Sequence, residues 1–412
     1  MHSEAAVAVP RLRLVRPGER SPAAIKARAE RSMRRTLTML SLSVAILTMA
    51  GLVMVLSASS VSAFAEYGSS FLFFKRQLMY AVMGSAALLA AARLPYRVWQ
   101  RAWVPLFGVS VLLLVLVLHP SAGTTVGGAA RWIQVGPVSL QPSELAKFAV
   151  VAACASILAL NVKTLESDPG RWIVPLAFIV GGVSLLILFQ PDLGTMMVIA
   201  LTSFVLLFVA GVRLRLLLSS AVLSTAVGLA LIMGEGYRRA RFLSFLHPWA
   251  DPRNTGYQIV QSLIALGSGH VFGVGLGASR QKWMYVPNAH TDFIFSILGE
   301  ELGLIGELIV LALFGALVYA GIRIALRAPD AFGRLLAGGI TAWLGLQALV
   351  NLGAVTGLLP ITGVPLPFVS FGGSSLIVSL GAVGVLLSIG RAALAAGPSG
   401  SRTREPGWHR GS

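Results

Sequence analysis

The sequence predicts an all-α membrane protein: a polytopic bundle of about ten transmembrane helices with one large extracellular loop between helices 7 and 8. Three observations predict it. Hydrophobic residues make up 56% of the 412 and charged residues only 12%, with a mean hydropathy of +0.79; no soluble domain of this size needs so much apolar surface. Apolar runs of about 20 residues recur along the chain, long enough to cross a bilayer core. Basic residues gather in short connections and tails, the pattern that orients membrane spans.

That last pattern also disposes of the net charge of +17. In a soluble chain it would point to nucleic acid. Here it follows topology, so nucleic-acid binding is set aside. The single cysteine, Cys154, excludes a disulfide within the chain and a multi-cysteine metal site. The six histidines are scattered, with no HExxH-type pair.

Residues 1–36 are polar and arginine-rich, from Arg11 through Arg35, and read as a disordered cytoplasmic tail. The apolar run that follows is too long for a signal-peptide core, so it reads as a retained first helix. Spans are expected near 37–57, 77–92, 102–118, 143–160, 172–189, 193–211, 214–233, 291–322, 335–356 and 368–390. They lie within a transmembrane domain of residues 37–390, followed by a cytoplasmic tail of residues 391–412. With the N-terminus inside, inner connections carry Arg93, Arg97 and Arg101, then Lys163 and Arg171, then Arg213 and Arg215, then Arg323, Arg327 and Arg334. The short outer ones carry Lys75, Arg76 and Arg131. Both termini are therefore expected in the cytoplasm. The outer stretch 234–290 breaks the pattern with Arg238, Arg239, Arg241, Arg253, Arg280 and Lys282. Anionic lipid headgroups would explain it, and so would an anionic substrate at the outer face. No internal repeat is visible, which weakens an inverted-repeat transporter.

Ionisable residues at membrane depth are costly and usually functional. Glu144, Asp192, Asp292, Glu300, Glu301 and Glu307 lie in or beside the expected spans. In RWIQVGPVSLQPSELAK, Glu144 suits the positive end of the fourth helix and stands three residues before Lys147, so the two can pair. Capping and pairing explain the position; substrate contact explains the depth equally well. In LFQPDLGT, Asp192 is favoured as the cap of the next helix. The stretch GLLPITGVPLPFVSFGGSS cannot be a regular helix. Broken backbone at this depth is tolerated where it lines a cavity, and Ser370 and Ser374 could bind a polar ligand; an ordinary outer loop is the plainer alternative.

Asp292, in PNAHTDFIFSILGEE, is the sharpest case. A helix starting there would put Ser296, Gly299 and Gly303 on its face, with Glu300 and Glu307 toward one side and Glu301 pointing away. Capping by Asp292 or Thr291 is the structural alternative. It leaves the basic loop and the broken backbone unexplained, so a functional role is favoured.

Together these stretches resemble the SEDS family (shape, elongation, division and sporulation), most closely its FtsW division branch. The resemblance covers roughly residues 37–390. It rests on RWIQVGPVSLQPSELAK, QPDLGT, FLSFLHPWADPRNTGYQIVQSLIALGSG, GVGLGASRQKWMYVPNAHTDFIFSILGEELG and LLPITGVPLPFVSFGGSS in that order. One departure is that residues 360–363 read PITG, without the lysine some FtsW members carry there.

The resemblance implies a peptidoglycan glycosyltransferase that polymerises lipid II at the outer face of the cytoplasmic membrane during septal cell-wall synthesis. It implies a class B penicillin-binding protein and other divisome proteins as partners, with membrane lipids around it. The family's catalytic aspartate falls at Asp292, its charged pair at Glu144 and Lys147, and the aspartate of its QPDLGT motif at Asp192. For that chemistry Asp292 would be a general base or a ligand of a divalent cation, Mg²⁺ or Mn²⁺, with no organic cofactor. Candidates for the substrate's pyrophosphate and sugars are Arg131, Arg241, Arg280, Lys282, Lys147, Gln258, Gln261 and Ser262, together with His290, Thr291, Ser370 and Ser374 as further substrate-binding candidates. Two rivals remain: a lipid II flippase, and a non-catalytic division scaffold.

Overall fold

A computed structural model describes residues 22–120, 123–126, 129–136, 138–234, 236–283, 285–287 and 289–396. Within them, nine helices are long and apolar enough to cross a membrane. They are α1 (Pro22–Tyr67), α3 (Arg97–Val117), α4 (Pro142–Asn161), α5 (Gly170–Leu188), α6 (Leu193–Ala210), α7 (Leu214–Met233), α10 (Ile294–Leu326), α11 (Ala331–Val355) and α12 (Gly373–Ala396). The 22-residue α2 (Leu72–Arg93) is the tenth long helix. Lys75, Arg76 and Gln77 near its start lower its mean hydropathy, and it packs along most of α12. The expected count of about ten spans thus corresponds to ten long helices.

The spans do not bury equally. In α4 most of the apolar stretch is inside the protein, whereas α7 is almost wholly exposed. So α4, α11 and the first half of α10 form the centre of the bundle, and α7 lies at its edge against α6.

Two expectations are corrected. Residues 22–36 are not a loose tail: α1 begins at Pro22 and runs unbroken for 46 residues. Its basic start is built from Ala, Arg, Lys and Glu, all strong helix formers. The rest of the expected tail, and the C-terminal stretch from 397, lie outside the described residues. The all-α bundle is otherwise as expected, with one small addition. Between α3 and α4, β1 (Gly123–Val126), β2 (Ala129–Val135) and β3 (Val138–Leu140) form an antiparallel sheet in the order β1-β2-β3. Gly136, at φ +58°, turns β2 into β3. Finally, α10 is not one regular helix: Gly303 breaks it at φ 66°, ψ −169°.

The long connection between α7 and α10 holds short helices α8 (Gly236–Leu246) and α9 (Tyr257–Ser268). Its later part wraps the break in α10. Val274 N donates to Glu300 O, Gly275 N to Glu301 O, and Leu304 N to His270 O, at 2.9, 3.0 and 2.9 Å. Carbonyls freed by the break thus find partners in the loop, as buried backbone groups must.

The connections at 118–141, 189–192, 269–293 and 356–372 meet on one face of the bundle, here the loop face. Ser139 N donates to the Tyr80 hydroxyl and Gln141 N to Ser374 Oγ. A Cβ on Gly194 would come within 2.6 Å of Thr362 O, so only glycine lets α6 start against the 357–372 segment.

Candidate functional site

Asp292 lies on the loop face, two residues before α10. The N-cap of α10 is Phe293, with no side-chain cap bond. Capping is therefore not what holds the Asp292 carboxylate, and the structural alternative weighed for it loses its basis. Its main chain is fixed from α11 instead. Asn351 Nδ2 donates to Asp292 O at 2.7 Å and to Val364 O at 2.8 Å. Thr291 Oγ1 donates to Asp292 Oδ1. The other oxygen, Oδ2, faces Gly363: a Cβ there would stand 3.7 Å away. Gly363 has φ +68°, so a side chain at that position would be strained.

His290 is stitched to the same segment. Phe371 N donates to His290 O at 2.9 Å, and the imidazole lies 4.6 Å from the Phe73 ring and 5.7 Å from the Phe371 ring, between centroids. Burial among these rings pushes the imidazole down to about 4. It is neutral at pH 7 and offers a phosphate no positive charge.

A second polar cluster lies deeper. Lys147 Nζ stands 2.9 Å from both carboxylate oxygens of Glu144, and both side chains are 1% exposed. The pairing expected from their three-residue spacing is present. Lys147 also donates to Gln347 Oε1 at 2.6 Å, and Trp343 Nε1 donates to the same oxygen at 2.9 Å. Gln347 Nε2 donates to Pro365 O at 2.9 Å. Trp343, Gln347 and Asn351 are four residues apart on α11 and so share one face. That face links the buried ion pair, through the carbonyls of Val364 and Pro365, to the peptide of Asp292. Sequence reasoning missed Gln347 and Asn351. The available signal was two amide side chains one turn apart inside an apolar helix.

The remaining expected site residues fall into separate places. Asp192 caps α6, accepting from Thr195 N at 3.1 Å and from Thr195 Oγ1 at 2.9 Å. Arg131, on β2, donates to the carbonyls of Gln190 and Pro191 just ahead of that cap. Ser370 Oγ accepts from Leu366 N, and Ser374 Oγ from Gln141 N; both hydroxyls brace the broken segment. Ser262 is fully buried and bonded to Ser296 and to Val355 O, behind α10. Gln258 and Gln261 are partly buried on α9. Arg280 is exposed, and the Arg241 side chain lies outside the described residues.

Lys282 and the two glutamates make a third cluster. Lys282 Nζ is 3.6 Å from Glu301 Oε1 and donates to Gly277 O. Ser57 of α1 donates to both Glu301 oxygens, at 2.6 and 2.8 Å. Glu300 accepts from Ser279 Oγ, Arg280 N and Gln281 N. Glu301, expected to point away from the polar face, turns to Ser57 of α1 and is 1% exposed. The helix is interrupted at Gly303 before it resumes, and the loop at 274–282 closes over both carboxylates there.

Among the described residues no group of three or more His, Cys, Asp and Glu is placed to hold a metal ion. At Asp292 the donor set contains one carboxylate. Mg²⁺ and Mn²⁺ want about six oxygens, so this is no resident cage. It does fit a cation that completes its shell with substrate phosphates.

A profile of cell cycle proteins, FtsW/RodA/SpoVE, matches residues 37–394. The chain belongs to that family. It is 47% identical over 359 residues to a probable peptidoglycan glycosyltransferase FtsW of Geobacter metallireducens, covering 86% of this chain and 94% of the relative. It is 46% identical over 342 residues to stage V sporulation protein E of Bacillus subtilis, covering 83% and 93%. Among solved structures it resembles a chain of a peptidoglycan synthase complex described as coordinating polymerization and crosslinking. The TM-score is 0.70 at 31% identity, with 86% and 97% covered. Rod shape determining protein RodA of Thermus thermophilus matches with a TM-score of 0.63 at 31% identity, covering 85% and 95%. The FtsW/RodA/SpoVE fold is thus shared along nearly the whole bundle, and with it a multi-pass membrane protein.

Proposed function

We propose that this protein is a peptidoglycan glycosyltransferase that polymerises lipid II, with Asp292 as its general base. The observation that carries the reading is the placement of Asp292. Its carboxylate is not a helix cap, stands on the loop face beside side-chain-free Gly363, and is held by a main chain that Asn351 fixes. The 47%-identical FtsW relative supports the reaction class.

In the reaction a sugar hydroxyl attacks the anomeric carbon of a second lipid-linked sugar. The new C–O bond forms as the bond to the lipid pyrophosphate breaks, and the hydroxyl proton passes to the Asp292 carboxylate. Such proton transfer contributes on the order of 10²–10⁴ in rate. One displacement inverts the donor's configuration without a covalent intermediate. A divalent cation held by Asp292 together with substrate phosphates would neutralise the leaving pyrophosphate. Lys147 and Lys282 have carboxylate partners and Arg131 is bonded to carbonyls, so exposed Arg280 is the candidate with most freedom to meet that group.

The loop face would then look outward and the basic face, with both termini, toward the cytoplasm. A class B penicillin-binding protein would cross-link the strands, at the division septum. The test is polymerisation of lipid II by the purified chain with that partner. Wild type should give glycan ladders and Asp292→Asn none; equal ladders would refute the assignment.

A further inference from the structure

The face opposite the loops carries a site the polymerisation reading does not use. α1 and α10 pack side by side in opposite directions. Near the start of α1, Arg323 Nη2 donates to Ser32 Oγ at 2.7 Å and Arg327 Nη1 to Ala29 O at 3.3 Å. These bonds pin the basic start of α1 as rigid helix. Just beyond them a groove of about 490 Å³ opens, with Arg34 and Arg35 at one end and Leu42, Ile46 and Leu313 along its length.

Charge and shape agree on its occupant. Arg34 and Arg35 are exposed, and among the described residues neither has a carboxylate within ion-pair distance. Three acids in the connections near this face are engaged elsewhere, Asp330 with Arg97, Glu166 with Arg213 and Asp168 with Arg171, and Glu30, one turn before Arg34 on α1, is in no ion pair with either arginine. Past the arginines the groove is apolar. Twelve residues separate Arg34 from Ile46, about 18 Å of helix, close to the depth of one leaflet, about 15 Å. A cationic mouth over an apolar trough of leaflet depth matches one molecule: an anionic phospholipid, phosphate on the two guanidiniums and an acyl chain along Leu42 and Ile46.

We propose that this groove is a binding site for an anionic phospholipid, which ties α1 to α10 at the end away from the catalytic aspartate. The test titrates the purified full-length chain in detergent with dioleoylphosphatidylglycerol or dioleoylphosphatidylcholine. Binding is followed by native mass spectrometry and by the thermal midpoint. Phosphatidylglycerol should bind saturably and raise the midpoint, and phosphatidylcholine should do neither. Arg34→Gln with Arg35→Gln should weaken the anionic lipid by roughly 30-fold. Leu42→Trp, which fills the trough and keeps both arginines, should weaken it too, while Arg101→Gln, on the same basic face away from the groove, should not. Equal binding of the two lipids, or unchanged binding in the double variant, would overturn the proposal and leave the groove to a protein helix. Unchanged binding in Leu42→Trp would also overturn it, reducing the effect to diffuse surface charge.

Discussion

Asn351 and Asp292, 59 residues apart in sequence, are joined by one bond of 2.7 Å from the Asn351 amide to the Asp292 main-chain carbonyl. The same nitrogen reaches Val364 O at 2.8 Å. One buried side chain thus sets the distance between Asp292 and the broken segment that faces it.

Asn351→Leu keeps the γ-branched shape, at a larger volume, and removes both bonds. The buried Val364 carbonyl loses its donor, at about 1–3 kcal/mol, and the part-buried Asp292 carbonyl loses its own. Polymerisation by the folded variant should fall by more than tenfold, with kcat affected more than KM. Wild-type kcat in a variant lacking both bonds would show that Asn351 has no part in positioning Asp292.

Lys147→Met leaves Glu144 charged and unpaired in the core. Removing one member of a buried pair costs about 3–5 kcal/mol. The thermal midpoint in detergent should drop sharply, and adding Glu144→Gln should restore part of it. A double variant no better than the single one would argue against the pair as the source of the loss.

The loop over α10 depends on Glu300 and Glu301. Glu301→Ala removes the acceptor of Ser57 and the partner of Lys282. Amide exchange across 274–282 should then rise at least tenfold, with α4 and α11 unchanged. Equal protection in variant and wild type would mean the backbone bonds to α10 suffice to hold the loop.

His290 gives the protein a signed response to acid. Its native imidazole titrates near 4 against an ordinary 6.5. Between those values the unfolded chain binds a proton that the native chain does not, so stability falls as pH drops from 6.5 toward 4. His290→Phe should flatten that part of the stability–pH curve. An unchanged slope would place the acid sensitivity elsewhere.

Much of this was legible in the sequence, for identifiable reasons. Long apolar runs do not depend on tertiary context, so the spans were placed well. The Glu144–Lys147 pair and the Asp192 cap follow from local spacing. What failed was set by distant contacts. Gly303 sits inside an apolar run and gives no local sign of a break; the break exists because Val271 and Gly273 approach too closely for a side chain. Lys282 read as a candidate for the pyrophosphate because its partner, Glu301, lies 19 residues on, beyond the reach of local spacing. The roles of Gln347 and Asn351 required knowing that α11 lies between α4 and the 357–372 segment.

The central claim is that Asp292 does chemistry. It is tested most directly by assembling the chain with the class B penicillin-binding protein proposed as its partner in liposomes and following lipid II polymerisation, wild type against Asp292→Ala, with and without Mg²⁺ or Mn²⁺. The account predicts glycan ladders from wild type and none from the variant at equal folded protein. Ladders of equal length and rate from both would contradict it.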